Sequence, residues 1–246
     1  MKKNVIAYSL WGDKPMYWVG ALKNIELANK YFPGWISRFY IDKNCKQELI
    51  NTIKGNNVEV VIVDPKTLND TSNGQPNTFQ GMFWRFWAAE DVDVDVFISR
   101  DCDSRISERE ISAVNEWLSS DKLFHIMRDH PYHTSRILGG MWGCRGGIMT
   151  GKSNPRKINI SSLISRWTIS KNGNYAFGVD QDFLSKVIYP IVVNYSMEHS
   201  EFNLKFEGEI RPFPTIRNNY EYVGDIFDEN DERHPEYWKM IKNYSL

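Results

Sequence analysis

The sequence predicts an α/β protein, a mainly parallel sheet flanked by helices, and three observations predict it. Short apolar runs alternate with amphipathic segments in the order βαβαβ at the start of the chain. The runs "NVIAYSL", "SRFYI" and "VEVVIVD" are nearly continuous in apolar residues, as strands covered on both faces are. A further run, "VDVDVFISRDCDSR", is an apolar stem with a charged tip, Asp101 and Asp103.

The elements follow in order. Asn4–Leu10 is the first strand. Trp18, Ala21, Leu22, Ile25 and Ala28 recur every three or four residues and predict a helix, which Pro33-Gly34 stops. "SRFYI" is the second strand, "KQELINTIK" a second helix ended by Gly55, and "VEVVIVD" the third strand. The polar stretch "PKTLNDTSNGQPNTFQG", with its Asn-Gly and proline, is a loop of a length usually tied to function. "MFWRFWAAE" is a helix leading into the aspartate-tipped strand. Ser107 caps the next helix, with Glu110 completing a capping box. "KLFHIM" is a strand, and "RDHPYHTSRILGGMWGCRGG" is irregular. "SSLISRWTIS" and "DQDFLSKVIY" are helices, the second ended by Pro190, and "IVVNYS" is a strand. No pattern is assigned beyond Glu198.

Composition narrows the class. The 246 residues suffice for one sizeable core. A formal net charge of −1 provides no basic field and argues against bulk nucleic-acid binding. Three scattered cysteines, Cys45, Cys102 and Cys144, imply a reducing compartment with neither a disulfide framework nor a zinc knuckle. No leader-like stretch opens the chain, and no run approaches the roughly 18 apolar residues of a membrane span, so a cytoplasmic protein is expected. The 14% aromatic content, nine tryptophans included, mildly favours stacking on sugars or bases, although most such rings pack cores.

Side chains alternate along a strand, so Asp101 and Asp103 share one side, roughly 6.5–7 Å apart at Cα, with Cys102 turned to the other. Two adjacent carboxylates repel, and a divalent cation removes that cost. Mg²⁺ or Mn²⁺ takes one or two carboxylates plus substrate phosphates, and ligands of open α/β sheets bind beyond the carboxyl ends of the strands. The pattern points to a metal–diphosphate site. In "RDHPYH", the His130–His133 spacing lacks the further ligands zinc needs. Hydrogen bonding of Arg128, Asp129 and His130 to ligand hydroxyls suits it better.

"FWRFWAAEDVDVDVFISRDCDSRIS" resembles the central motif of GT-A-fold glycosyltransferases, in which an arginine-bearing helix precedes an apolar strand ending in D-x-D. The stretch from Gly81 to Gly147 is similar to bacterial and large-DNA-virus polysaccharide glycosyltransferases. The resemblance implies a single GT-A-like domain over residues 1–246 with a small C-terminal extension, its nucleotide-binding half at about 1–105 and its acceptor-side half at 106–246. It implies a nucleotide-sugar donor, UDP-linked by preference, a glycan acceptor, hexosyl transfer and Mn²⁺ or Mg²⁺. Asp103 then corresponds to the direct metal ligand, and Asp101 to the contact to the ribose or to the metal through water. Ala7, Tyr8 and Ser9 correspond to the base and ribose contacts, and Arg85 to the arginine at the nucleotide. Gly139, Gly140 and Trp142 of "LGGMWG" lie beneath the donor sugar. Asp180 or Asp182 faces the acceptor, and His199 corresponds to a third metal ligand, although the pattern H-x-x-G-x-x-K-P-W that accompanies it elsewhere is missing. Arg211 and Arg217 are candidates for phosphate contact. The loop Asp64–Gln80 is expected to close over the donor.

Other readings stay open. A sugar-1-phosphate nucleotidyltransferase usually has a glycine-rich basic loop after the first strand, where this chain has "SLWGDKPMYW". A non-catalytic carbohydrate-binding protein would explain the tryptophans but is generally a β-sandwich. A metal-dependent phosphohydrolase would need Lys and Ser/Thr motifs that are not found.

Overall fold

The computed structural model describes residues 2–64, 80–146, 149, 159–171, 177–202 and 205–244. Its strands are β1 (Lys3–Leu10), β2 (Ile36–Asp42), β3 (Val58–Val63), β4 (Val94–Ser99), β5 (Phe124–Arg128), β6 (Trp142–Arg145), β7 (Ser196–Ser200) and β8 (Glu209–Arg211). Its helices are α1 (Pro15–Tyr31), α2 (Gln47–Ile50), α3 (Gly81–Trp84), α4 (Glu108–Leu118), α5 (Ile160–Ser170), α6 (Val179–Phe183), α7 (Tyr189–Val192) and α8 (Pro235–Tyr244). The strands make one sheet in the order β3-β2-β1-β4-β6-β5-β7-β8. Among the described strands, only β6 runs against its neighbours, pairing antiparallel with both β4 and β5. The carboxyl ends of the other strands therefore share one rim.

Alternation along the strands builds two cores. Ile6, Tyr8 and Leu10 of β1, with Val96 and Ile98 of β4, meet Trp18, Ala21 and Ile25 of α1 and Val114 and Trp117 of α4. Val5, Ala7 and Phe97 face the other way, onto Phe83, Trp84 and Phe86 and onto Phe183, Leu184 and Ile188. Burial on both faces is why these strands read as continuous apolar runs. Ser107 caps α4 by accepting from the Glu110 N–H at 3.2 Å, as the capping box predicts.

Four expectations are corrected. The helix predicted from "MFWRFWAAE" is an α-turn, Gly81–Trp84, that tightens into a 3₁₀ segment, Arg85–Glu90. Pro190 does not end its helix. A π-turn, Leu184–Ile188, precedes it, and the Tyr189 N–H reaches back to the Leu184 carbonyl. Pro190 enters in the first turn of α7, where a missing N–H breaks no bond. Consequently Ile191–Tyr195 is helical, and the strand begins only at Ser196. β6 arises within the segment read as irregular, because four residues containing Gly143 carry no periodic signal. Of the proposed lid, Asp64–Gln80, residues 65–79 lie outside the described residues. Among the described residues, no helix is long and apolar enough to cross a membrane.

Candidate functional site

β4 ends at Ser99, and Asp101 and Asp103 stand on the turn that follows, at the rim. The extended geometry does not persist through them. Cys102 nevertheless turns away and is buried, its thiol 3.7 Å from the Ser9 carbonyl. Arg100, also turned inward, is buried in an ion pair with Glu110.

Arg85 ties this rim together. Its backbone N–H donates to Ser9 Oγ at 3.0 Å, fixing the 3₁₀ segment to β1. Its Nη1 donates to an Asp101 oxygen and, at 3.3 Å, to the Arg100 carbonyl. Its Nη2 donates to Asp180 Oδ2 at 3.2 Å. One buried guanidinium thus joins residues from two halves of the sequence. Gly139 and Gly140 press their backbone onto the same group. A Cβ at Gly139 would come within 2.3 Å of Asp180 Oδ2, and one at Gly140 within 2.0 Å of Asp101 Oδ2, so a side chain at either position would displace the carboxylates. The Gly139 carbonyl is held by Ser99 Oγ at 2.7 Å.

Charge at this rim is unbalanced. Arg85 faces Asp101, Asp103 and Asp180. Burial, followed by the neighbouring Asp101 carboxylate, pushes the Asp103 carboxyl up to about 7. Among the described residues Asp103 has no salt bridge. The half-buried Tyr17 hydroxyl is pushed up to about 12, by burial and by both aspartates, which places its ring beside them. Burial raises the Asp180 carboxyl, Asp101 adds to the rise, and Arg85 opposes it. Asp101 is the accessible member, its side chain 46% exposed. It lines a cleft of about 420 Å³ with Ser9, Trp11, Tyr17, Arg85 and Phe177.

This donor set fits a hard divalent cation. Two carboxylates are short of positive charge, and their oxygens are the ligand type Mg²⁺ or Mn²⁺ takes. Among the described residues, no group of three or more His, Cys, Asp or Glu side chains is placed to hold a metal ion by itself, so the remaining ligands would have to come from a bound molecule or water.

Several expected site residues are placed elsewhere. β1 runs on to Leu10, so Ala7 and Tyr8 are buried within it. The Tyr8 ring stacks on Phe39 at 4.8 Å rather than facing a ligand. Trp142 is packed in the core between Phe86 and Phe97, at 5.4 and 5.0 Å, and offers no floor to a sugar. The N-cap of α6 is Gly178, with Asp180 in the first turn. Asp182 lies on the exposed side of that turn, 2.9 Å from Lys186. His199, buried on β7, bonds to His125 at 2.8 Å and approaches Glu116 at 3.3 Å. Its strand is three positions from β4, roughly 14 Å away, too far to share an ion with Asp103.

Arg128, Asp129 and His130 are also buried. Arg128 pairs with Glu198 at 2.8 Å, and Asp129 receives Arg109 at 2.7 and 2.9 Å, Arg217 at 2.6 Å and the Val223 N–H at 2.9 Å. His130 bonds to the Tyr237 carbonyl at 3.0 Å. These residues anchor the C-terminal segment to the sheet instead of facing the cleft. Arg211 pairs with Glu116 and Glu209. Trp11, Tyr17 and Phe177 line the cleft and were not singled out from sequence. Their only signal is an aromatic just beyond a strand or next to a helix start.

No family model matches the sequence, and no curated protein matches it. Among solved structures, the chain is similar to the galactosyltransferase LgtC in complex with donor and acceptor sugar analogues. The TM-score is 0.51 and the identity 12%, over 81% of this chain and 73% of that one. A glycosyltransferase involved in glycosylation of the major capsid of PBCV-1 gives a TM-score of 0.49 and 13% identity, over 82% and 83%. A 4-diphosphocytidyl-2C-methyl-D-erythritol synthase from Anaerococcus prevotii gives 0.41 and 8%, over 82% and 90%. The likeness to LgtC shows the fold: this chain has the mainly parallel, Rossmann-like sheet of GT-A-type glycosyltransferases, as the sequence resemblance implied.

Proposed function

We propose that the protein is a metal-dependent glycosyltransferase that moves a hexose from a nucleotide-diphosphate donor, UDP-linked by preference, to a hydroxyl of a glycan. The observation that carries this is the convergence of Arg85, Asp101, Asp180 and the Gly139–Gly140 backbone at the carboxyl end of β4. Fold alone would not carry it, because one fold hosts many chemistries.

Asp101 and Asp103 would hold the Mn²⁺ or Mg²⁺. When bound, the ion supplies Lewis acidity and offsets charge growing on the leaving diphosphate. Trp11 and Tyr17 give the cleft aromatic walls suited to a base, and Ser9 and Asp101 offer oxygens to a ribose. The side-chain-free backbone at Gly139 and Gly140 lets a sugar approach the carboxylates closely. Arg85 holds Asp101 and Asp180 at fixed separation, so that the acceptor hydroxyl and the donor meet in one orientation. Asp180, its carboxyl raised by burial, is the acid–base group at the acceptor hydroxyl. On this reading the nucleotide is held by the half before about residue 105, and the acceptor by the half after it.

The test is turnover of UDP-sugars by wild type and Asp103→Ala in Mn²⁺. Transfer is expected to disappear while the circular dichroism spectrum is retained. Normal turnover by the variant would refute the metal role.

A further inference from the structure

We infer that the rim also carries a remote acceptor subsite, built for a neutral oligosaccharide chain. The inference rests on the glycosyltransferase reading and extends it to the class of acceptor. At the carboxyl ends of β7 and β8 lies an open groove of about 1230 Å³, lined by Phe202, Thr215, Ile216, Asn218, Asn219 and Tyr220, among others. It is larger than the cleft at Asp101. Its strands stand three and four positions from β4, roughly 14–19 Å along the rim.

One stretch of chain, residues 213–227, joins the two places. The Phe213 ring lies 5.5 Å from His199 on β7. Arg217 and the Val223 N–H are tied to Asp129 at the end of β5. Ile226 bridges to Ser104, and the Phe227 N–H donates to the Asp103 carbonyl at 2.8 Å. The segment that lines the groove therefore ends on the backbone of the candidate metal ligand. A linear ligand long enough to span the roughly 14–19 Å from the groove to β4 would present one end to the aspartates.

The groove's chemistry selects the ligand. Its two charged lining residues are each paired with a residue behind the groove: Glu201 with Arg109 at 3.2 Å, and Arg217 with Asp129 at 2.6 Å. Besides the exposed carboxylate of Glu201, what faces solvent is the amides of Asn218 and Asn219 and the apolar Ile216 side chain, beside the partly exposed rings of Phe202 and Tyr220. Amides suit hydroxyls, and aromatic rings suit the C–H face of a sugar. A phosphorylated or acidic chain would call for uncommitted guanidinium groups.

The groove is also held ready. Asn219 and Tyr220 are consecutive non-glycine residues in the left-handed region, with φ of 47° and 56°. Arg233 clamps both, donating to the Asn219 carbonyl at 2.9 Å and the Tyr220 carbonyl at 2.7 Å. Trp238 stacks on the Tyr220 ring at 6.4 Å. Backbone of this kind persists only where surrounding contacts enforce it, and it collects at ligand sites.

The experiment is saturation-transfer NMR with a panel of neutral hexasaccharides and their matching monosaccharides, alongside titration of UDP with Mn²⁺. At least one hexasaccharide is expected to bind wild type tenfold or more tightly than its monosaccharide. Asn218→Ala and Tyr220→Asn are expected to weaken that binding at least tenfold and leave the UDP titration unchanged. Asn218 is exposed, and asparagine tolerates the left-handed region, so neither change threatens the fold. Hexasaccharide binding that survives both substitutions would overturn the groove, as would binding lost only in Asp101→Asn. A panel with no binder, in a protein that still takes UDP with Mn²⁺, would overturn the groove and leave the transfer reading standing. Hexasaccharide binding that depends on Asn218 and Tyr220, in a protein that ignores UDP and Mn²⁺, would uphold the groove and overturn the transfer reading.

Discussion

The rims above β4 and β5 are both crowded with arginine and aspartate, yet they are built to opposite ends. Above β5, three guanidiniums, Arg109, Arg128 and Arg217, meet three carboxylates, Asp129, Glu198 and Glu201. Above β4, Arg85 faces Asp101, Asp103 and Asp180, while Arg105, also near Asp103, is itself paired with Asp231. The first cluster satisfies itself and holds the C-terminal segment. The second has more carboxylates than direct cationic partners, and a bound cation would supply the missing positive charge. The difference separates a structural charge cluster from a candidate catalytic one more sharply than residue type or burial does.

The largest effect should come from breaking the matched cluster. Asp129→Ala removes the buried carboxylate shared by Arg109 and Arg217, leaving Arg109 only the partly exposed Glu201, and is expected to cost about 3–5 kcal/mol, read by urea unfolding. A variant as stable as wild type, yet inactive, would move Asp129 into the catalytic group and dissolve the contrast.

The unmatched cluster should respond in the reverse sense. The Asp103 carboxyl is raised, so the folded state holds its proton more tightly than the unfolded chain does. Its contribution to stability is whole below about pH 4 and is lost as pH climbs through about 7. Metal-free Asp103→Asn is therefore expected to melt higher than wild type at pH 8, with the gap closing toward pH 4. Mn²⁺ must displace that proton, so its apparent affinity should rise up to about pH 7 and then level off. Differential scanning calorimetry and Mn²⁺ titration across pH read the two effects.

Asp180 and Asp182 sharpen the contrast within one helical turn. Asp180→Asn removes a carboxylate held by Arg85 and is expected to slow transfer about 100-fold. Asp182→Asn breaks only an exposed pair with Lys186 and should change stability by less than about 0.5 kcal/mol and leave the rate near wild type. Equal rate losses in a kinetic assay would erase the distinction.

Most of what positions the site was legible in the sequence. Apolar patterning marked β1, α1, β2 and β4, because each buries a regular set of its own residues, and it marked β3 although Val60, Val61 and Ile62 of that edge strand are exposed. Ser9, Arg85, Asp101, Gly139, Gly140 and Asp180 are indeed brought together. What stayed hidden depends on partners distant in sequence. Nothing local in "RDHPYH" announces that Asp129 will meet both Arg109 and Arg217, and a buried aspartate looks like a ligand-binding one until its partners are known. Tyr8 and Trp142 were ambiguous for the same reason, since an aromatic suited to a sugar face is equally suited to a core. β6 was too short and too glycine-rich to carry a period, and Pro190 was rescued by a π-turn that no pairwise rule foresees.

The most direct measurement of the central claim is calorimetric titration of UDP into the protein, with and without Mn²⁺. Tight binding that requires the ion, and is lost in Asp103→Asn, is the result expected of a rim short of positive charge. Equal affinity with and without Mn²⁺ would contradict it.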